Sequence, residues 1–416
     1  MSRSNRVLRL FIAAAGLAFV ACVEDDTAPQ MMAGPTVLSN SAVPEFDIMT
    51  TMDDDEGFSA ATNGLHYLVG YSTGNLGPGN AFGIVKAQTI SSTGTLLNLV
   101  STGRIGVSPK VAFDGTNYLL AWVDHNGGLL GPVNVFGQRI DANGNKVGSA
   151  FRISTESNVV FLSGLAFGGG KYLVTYLYFD INSVTVKLYG RFVSTTGVVG
   201  ARFIITSPQT TGALNNLATD GTNFLATWVT GTDLETVKAR IVQGSGALGS
   251  VITLNSSPEP SSQSLGVAYL GGKYLVTWSD SMGLHESNVY GRMVTQAGAA
   301  TGGRITISGA AGQQIGGLAT AIGQNFFVTW IDFQPDPANT TVKGRFFSTA
   351  GTALGTVKTL YTTDQVTGKM PLTPGPIARG SDAFFVIGRA LPGPDPQSFE
   401  NLNGWDLHGG VKNLVP

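Results

Sequence analysis

Asp114 to Trp122 reads DGTNYLLAW, and close variants of this string run through the whole chain. NGLHYLVGY begins at Asn63, GGGKYLVTY at Gly168 and DGTNFLATW at Asp220. GGKYLVTW follows from Gly271, GQNFFVTW from Gly323 and SDAFFVIG from Ser381. Aligned on one aromatic position, the anchors are Tyr67, Tyr118, Tyr172, Phe224, Tyr274, Phe326 and Phe384. Their separations are 51, 54, 52, 50, 52 and 58 residues, a spacing that marks a repeat architecture.

Working outward from the anchor, each repeat divides into four short strands, A to D. Strand A is small and apolar, as in VAF at 111–113, LAF at 165–167, LAT at 217–219 and VAY at 267–269. A tight turn rich in Gly and Asn follows, where φ > 0 is tolerated. Strand B is the aromatic-led run, closing at Trp122, Trp228, Trp278 and Trp330. Strand C reads VFGQRI from Val135, LYGRFV from Leu188, VKARIV from Val237, VYGRMV from Val289 and VKGRFF from Val342. A second tight turn leads to strand D, as in FRIS at 151–154 and ITIS at 305–308. β-Branched and aromatic residues fill these runs and turn residues punctuate them.

A single four-stranded meander has exposed edges and too little core to fold alone. Radial repetition buries each sheet against its neighbours. The sequence therefore predicts an all-β, seven-bladed β-propeller of four-stranded antiparallel blades over residues 36–416. The units resemble kelch and WD-type repeats in length, with Gly pairs before strand B and Trp at its end, without matching either signature. Tandem sandwiches would need about 100 residues per domain. The last unit has A (376–379), B (383–388) and a C-like strand (406–415) but no D. Thr36 to Ala42 (TVLSNSA) is expected to complete that blade as its outer strand and close the ring, removing an exposed edge.

Ahead of the repeats, Arg3, Arg6 and Arg9 precede twelve apolar or small residues, Leu10 to Ala21. That run is too short for a bilayer crossing, which takes ~20 helical residues, and fits an export signal over residues 1–21. The chain's only cysteine, Cys22, follows in Phe19-Val20-Ala21-Cys22. This stretch resembles the lipobox of bacterial lipoproteins, with Phe19 where Leu is commoner. The resemblance implies lipid attachment at Cys22, a tether over 22–35 and a membrane partner. Val23, in place of the Asp that signals inner-membrane retention, implies the outer membrane or cell surface. One cysteine provides no disulfide framework, so packing alone must hold the fold.

Composition narrows the function classes. Only 12% of the 416 residues are charged, about half the usual share, while 43% are hydrophobic and 56 are Gly. This excludes a helical bundle and a charge-rich disordered chain. Lys+Arg 25 against Asp+Glu 27 gives a net charge of −2, which leaves no electrostatic footprint for nucleic acid.

A meander places the A–B and C–D turns at one end and the long, dissimilar B–C and D–A connections at the other. The latter include 74–81, 124–134, 280–288, 332–341 and 391–405. Loops held on a rigid scaffold are where binding usually lives. Three aspartates, Asp124, Asp280 and Asp332, recur two residues after the strand-B Trp. They could form an acidic rim for a cation or sugar hydroxyls, or cap loop starts by accepting backbone N–H bonds. His285, in the same loop as Asp280, and Trp405, at the end of the longest loop, complete the candidate ligand-binding set. Arg191, Arg240, Arg292 and Arg345 recur in strand C, with Gln88 and Gln138 at the same place, and read as structural donors to backbone carbonyls. Asp53-Asp54-Asp55-Glu56 reads as a solvated connection and Asp141 to Asn145 as a turn, neither with the alternation of a calcium loop.

Four histidines at 66, 125, 285 and 408 show no metal-ligand spacing, so neither metal nor cofactor is expected. No G-x-S-x-G elbow, HExxH or sialidase-type S-x-D-x-G-x-T-W box occurs. The expectation is a non-catalytic envelope protein that binds a protein or envelope component at the loop face. A carbohydrate-binding, lectin-like propeller is the alternative, and a glycan-degrading enzyme the remaining one.

Overall fold

The structure is a computed structural model. It describes residues 43–50, 57–73, 83–125, 133–156, 159–180, 185–206, 215–231, 234–255, 259–260, 264–280, 287–333, 339–363, 370–379, 382–391, 403–414 and 416. Strand follows strand in an antiparallel meander throughout them.

The first strand, β1 (Val43–Thr50), waits for the end of the chain to find its partner. Next come β2 (Phe58–Thr62), β3 (His66–Ser72), β4 (Ile84–Ser91), β5 (Leu96–Phe113), β6 (Asn117–Asp124), β7 (Asn134–Asp141) and β8 (Lys146–Arg152), hydrogen-bonded in that order as one seven-stranded sheet. β5 is 18 residues long and serves two meanders: residues from Leu96 to Ile105 pair with β4, and those from Gly106 to Phe113 with β6.

Then β9 (Val159–Gly168), β10 (Lys171–Asp180), β11 (Thr185–Ser194) and β12 (Val199–Ile204) form a four-stranded sheet. β13 (Asn215–Thr219), β14 (Phe224–Thr230), β15 (Leu234–Val242) and β16 (Ile252–Thr253) form another, with β17 (Glu259–Pro260) beside β15. Two further meanders are β18 (Ser264–Leu270), β19 (Lys273–Ser279), β20 (Val289–Thr295), β21 (Ala300–Ser308), and β22 (Gln313–Ile322), β23 (Asn325–Phe333), β24 (Thr341–Phe347), β25 (Ala353–Thr362). The last sheet is β26 (Met370–Arg379), β27 (Asp382–Leu391) and β28 (Asn403–Asn413), with β1 on the outer side of β28.

Local chemistry explains the hairpins. Asp114 Oδ1 accepts the N–H groups of Thr116 and Asn117 while Gly115 takes φ 93°. Asp220 and Gly221 repeat the device two repeats on. Strand B is apolar on both faces because both face core. Tyr118, Leu120 and Trp122 pack with the preceding meander, Leu119, Ala121 and Val123 with the following one. All seven aromatic anchors are fully buried. Each such burial stabilises the fold by about 1.5–3 kcal/mol. The core is accordingly a succession of clusters, each shared by two successive meanders. One more joins the last sheet to the first repeat, where the rings of Tyr67 and Phe384 stack at 4.2 Å. This is an all-β propeller of four-stranded antiparallel blades.

Two repeat positions fasten the frame: the strand-C Arg or Gln, which bonds between sheets or within its own, and the polar residue at the end of strand D, which bonds within its sheet. Arg240 Nη1 donates to Ile205 O and Arg292 Nη1 to Leu254 O, each 2.8 Å away in the preceding sheet. The side-chain amide of Gln138 donates to its own sheet's carbonyls at Arg139 and Gly148. At the far end of strand D, Ser154, Thr206 and Asn255 accept the N–H groups of Val135, Leu188 and Val237, clamping the start of strand C.

Some boundaries differ from the sequence reading. Strand A is longer than its apolar signature: β9 and β22 run ten residues each, because polar and Gly positions pair as well as apolar ones. The strand beside β28 is Val43–Thr50, whereas the expected 36–42 lies outside the described residues. In VPEFDIMT, Phe46 and Ile48 join the core while Glu45 and Asp47 turn away, and the acids disguise the alternation.

Candidate functional site

At one end of the propeller lie the A–B and C–D turns, here the turn end. At the other, the loop end, lie the B–C and D–A connections, and the recurring aspartates sit at its base. Most of 74–81, 124–134, 280–288, 332–341 and 391–405 lies outside the described residues, as do Cys22, His285 and the Asp53 to Glu56 run. Trp405 belongs to strand β28 and not to the loop before it.

Asp124 closes β6 and is 4% exposed. Its Oδ1 accepts Arg104 Nε at 2.7 Å and its Oδ2 accepts Arg104 Nη2 at 2.8 Å, a two-pronged pair with β5. Trp122 Nε1 donates to the same Oδ1 at 3.2 Å. The guanidinium also lies 4.0 Å from the centre of the Phe136 ring. Hydrogen bonding to Asp124 holds Arg104 above its usual range despite partial burial. Next to it, burial pushes the His125 imidazole down to about 4 against the pull of Asp124, so this ring is neutral at pH 7.

Asp332, also 4% exposed, meets Lys343 Nζ across the β23–β24 pair, and Gln314 Nε2 donates to its Oδ1 at 3.3 Å. Asp280, 3% exposed, accepts the Asn288 N–H at 2.8 Å, and its own N–H donates to Asn288 O at 3.1 Å. Asp280 therefore ties the two stems of its loop together, as a cap would. The other two make cross-strand ion pairs, an outcome that lies outside both sequence alternatives. The three stand in separate meanders, and no group of three or more His, Cys, Asp or Glu placed to hold a metal occurs among the described residues.

A denser cluster went unnoticed in the sequence. Glu156, in the connection between β8 and β9, accepts Tyr176 Oη at 2.8 Å, Arg202 Nη1 at 2.8 Å and Arg191 Nη2 at 3.3 Å. Arg191 Nε donates to Tyr176 Oη, and its Nη2 to Thr155 Oγ1. Burial pushes the Glu156 carboxyl up, but Tyr176 and the two arginines outweigh it and bring it down to about 2. Burial also pushes the Tyr176 phenol up, and this side chain is fully buried. A phenol so enclosed cannot touch a substrate, and the cluster fastens the β8–β9 connection to the sheet that follows it. Its signals were Tyr176 at the position where other repeats carry Trp, and Glu156 as an acid just after strand D.

No family model matches the chain. No curated protein matches it either. Among solved structures it is similar to a neuraminidase-like protein from A/bat/Guatemala/164/2009, at TM-score 0.48 and 10% identity over 75% of this chain and 90% of that one. It is also similar to the β-propeller domain of the Trilobed protease from Pyrococcus furiosus, described as having an open velcro topology, at TM-score 0.46 and 10% identity over 80% and 92%. The Pyrococcus horikoshii acylaminoacyl peptidase is similar at TM-score 0.48 and 9% identity, over 80% of this chain and 49% of that one.

Proposed function

We propose that the chain is a non-catalytic, lipid-anchored protein of the bacterial envelope, at the outer membrane or cell surface, which holds a protein or envelope component on its loop end. The observation that carries this reading is the engagement of the candidate acids. Asp124, Asp332 and Asp280 are buried in the frame with partners of their own. A glycosidase needs two carboxylates free to protonate a leaving group and activate a nucleophile. Acids already committed to ion pairs and backbone bonds support a scaffold for loops instead, with the ligand chosen by the dissimilar connections.

The same reading takes the ring as seven blades closed by the N-terminal strand. Support comes from β5, which pairs with β4 up to Ile105 and with β6 from Gly106 onward and so divides between two meanders. It comes also from the cluster that packs Ile48, Phe384 and Val411 of the last sheet against Tyr67 and Val69 of the first repeat. Lipid attachment rests on Cys22 and its context.

The test is a glycan array run beside a pull-down from an envelope fraction, using residues 23–416. Silence on the array, with retention of a defined envelope partner that is lost when 392–402, between β27 and β28, is replaced by a Gly-Ser linker, is the expected result. Signal on several related glycans establishes a lectin instead, and release of a sugar product an enzyme.

A further inference from the structure

The way the chain enters the propeller fixes which end is nearest its anchor. Val43 pairs with Val411, and Val411 with Phe384, close to the hairpin between β26 and β27. The N-terminal segment therefore joins the propeller at the turn end, opposite the loops. Beside this point, in the repeat that shares a core cluster with the last sheet, stand four exposed leucines. Leu65 is 68% exposed in the turn between β2 and β3, and Leu96, Leu97 and Leu99 are 43%, 44% and 55% exposed at the start of β5. Of the remaining exposed large hydrophobics of the described residues, Val198 and Ile204 lie at opposite ends of one strand-D segment and Val251 and Val357 stand one each in other repeats, a scatter that is ordinary.

We propose that this leucine-bearing corner of the turn end rests on the lipid surface in which the protein is anchored, so that the loop end faces away from the membrane. The inference rests on the lipid-anchor reading given above. Twenty residues separate Cys22 from Val43. A chain of that length spans about 25 Å on average if it carries no regular structure. A ten-residue strand such as β10 is ~33 Å long. The turn end is thus the end the tether holds near the bilayer. Apolar side chains there can enter the headgroup boundary, and one lipid chain alone gives marginal binding that a second contact reinforces.

The experiment uses the full chain reconstituted in vesicles of phosphatidylethanolamine with a minority of phosphatidylglycerol. An environment-sensitive label is placed on Leu97→Cys or, at the loop end, on Thr362→Cys, with a quencher carried on the lipid. Flotation reports the anchor itself. The expected result is floating protein in which the label at 97 is quenched about threefold more than the label at 362, as shallow insertion requires. Adding Leu65→Glu and Leu99→Glu should remove that difference while the protein still floats. Floating protein with equal quenching at both positions overturns the orientation and leaves the anchor standing. Stronger quenching at 362 does the same, as does a signal at 97 that follows protein concentration through pairing of two β5 edges. Protein that does not float overturns both.

Discussion

Replacing Asp124 by Ala distinguishes a frame residue from a binding residue by the sign of the effect on stability. Asp124 receives two charge-assisted bonds from Arg104 at 2.7 and 2.8 Å and a third from Trp122 Nε1 at 3.2 Å. Removing one partner of a fully buried ion pair costs about 3–5 kcal/mol, because the other charge is left unpaired. The Arg104 side chain keeps 28% exposure, so water can reclaim part of it and the low end applies. Together with the orphaned indole N–H, Asp124→Ala should lose about 3 kcal/mol of unfolding free energy. Arg104→Met should lose at least as much, because the more deeply buried Asp124 carboxylate is then left without its cation even though the methionine methylenes still cover Phe136. The double variant should show a coupling of about 1–2 kcal/mol. Urea unfolding followed by tryptophan fluorescence reads all three, and urea avoids the screening that guanidinium would impose on the pair. A group kept for ligand binding at the expense of the fold raises stability when it is removed. If Asp124→Ala is as stable as the parent or more so, with no coupling to Arg104, the aspartates are not frame residues and the case against an acidic binding rim collapses.

Lowering the pH should weaken the fold in two steps. The imidazole of His125 takes up its proton near 4 when folded and near 6.5 when unfolded, so stability falls by about 3 kcal/mol between those values. Glu156 contributes stability above its ordinary 4.5, which is lost as pH falls toward about 2. This step is worth about 2 kcal/mol once the half-exposed Arg202 partner is discounted. Urea midpoints between pH 7 and 3 check both, and His125→Leu should flatten the first. At Gly266, an added Cβ would collide with the carbonyl of Gly317 in the next sheet and with the Thr277 hydroxyl. Gly266→Ala should therefore cost at least about 2 kcal/mol, whereas Gly303→Ala, which meets nothing within 4 Å, should stay within about 0.5 kcal/mol in the same assay. Arg240→Met and Arg292→Met each remove a donor to the preceding sheet and should cost about 1 kcal/mol apiece. Their effects should add, because the two junctions share no partner.

What recurs in this sequence was legible, and what joins unlike repeats was not. The aromatic anchors, the Trp series and the strand-C arginines announce themselves by period, and all of them bury or bond as frame residues. The clamp at the end of strand D had the same signal in FRIS, FIIT and ITLN, where a small polar residue closes each string. The pairing of Arg104 with Asp124 offered no such signal, although Asp124 itself recurs. They belong to different repeats and meet only because β5 runs unbroken from one meander into the next. Strand β1 was hidden for a related reason. Its two acids lie near His408 Nδ1 of β28, with Asp47 at 3.0 Å, so a stretch that reads as linker is matched to a residue some 360 positions away. Periodicity reports the forces every sheet needs, and a pairing needed once leaves no period. The recurring aspartates belong with the first group, since recurrence at a frame position reflects a shared mechanical demand: each pins the base of a long connection. Such a base can carry connections of any sequence without altering the sheets beneath. That independence lets the loop end specialise while the frame stays fixed.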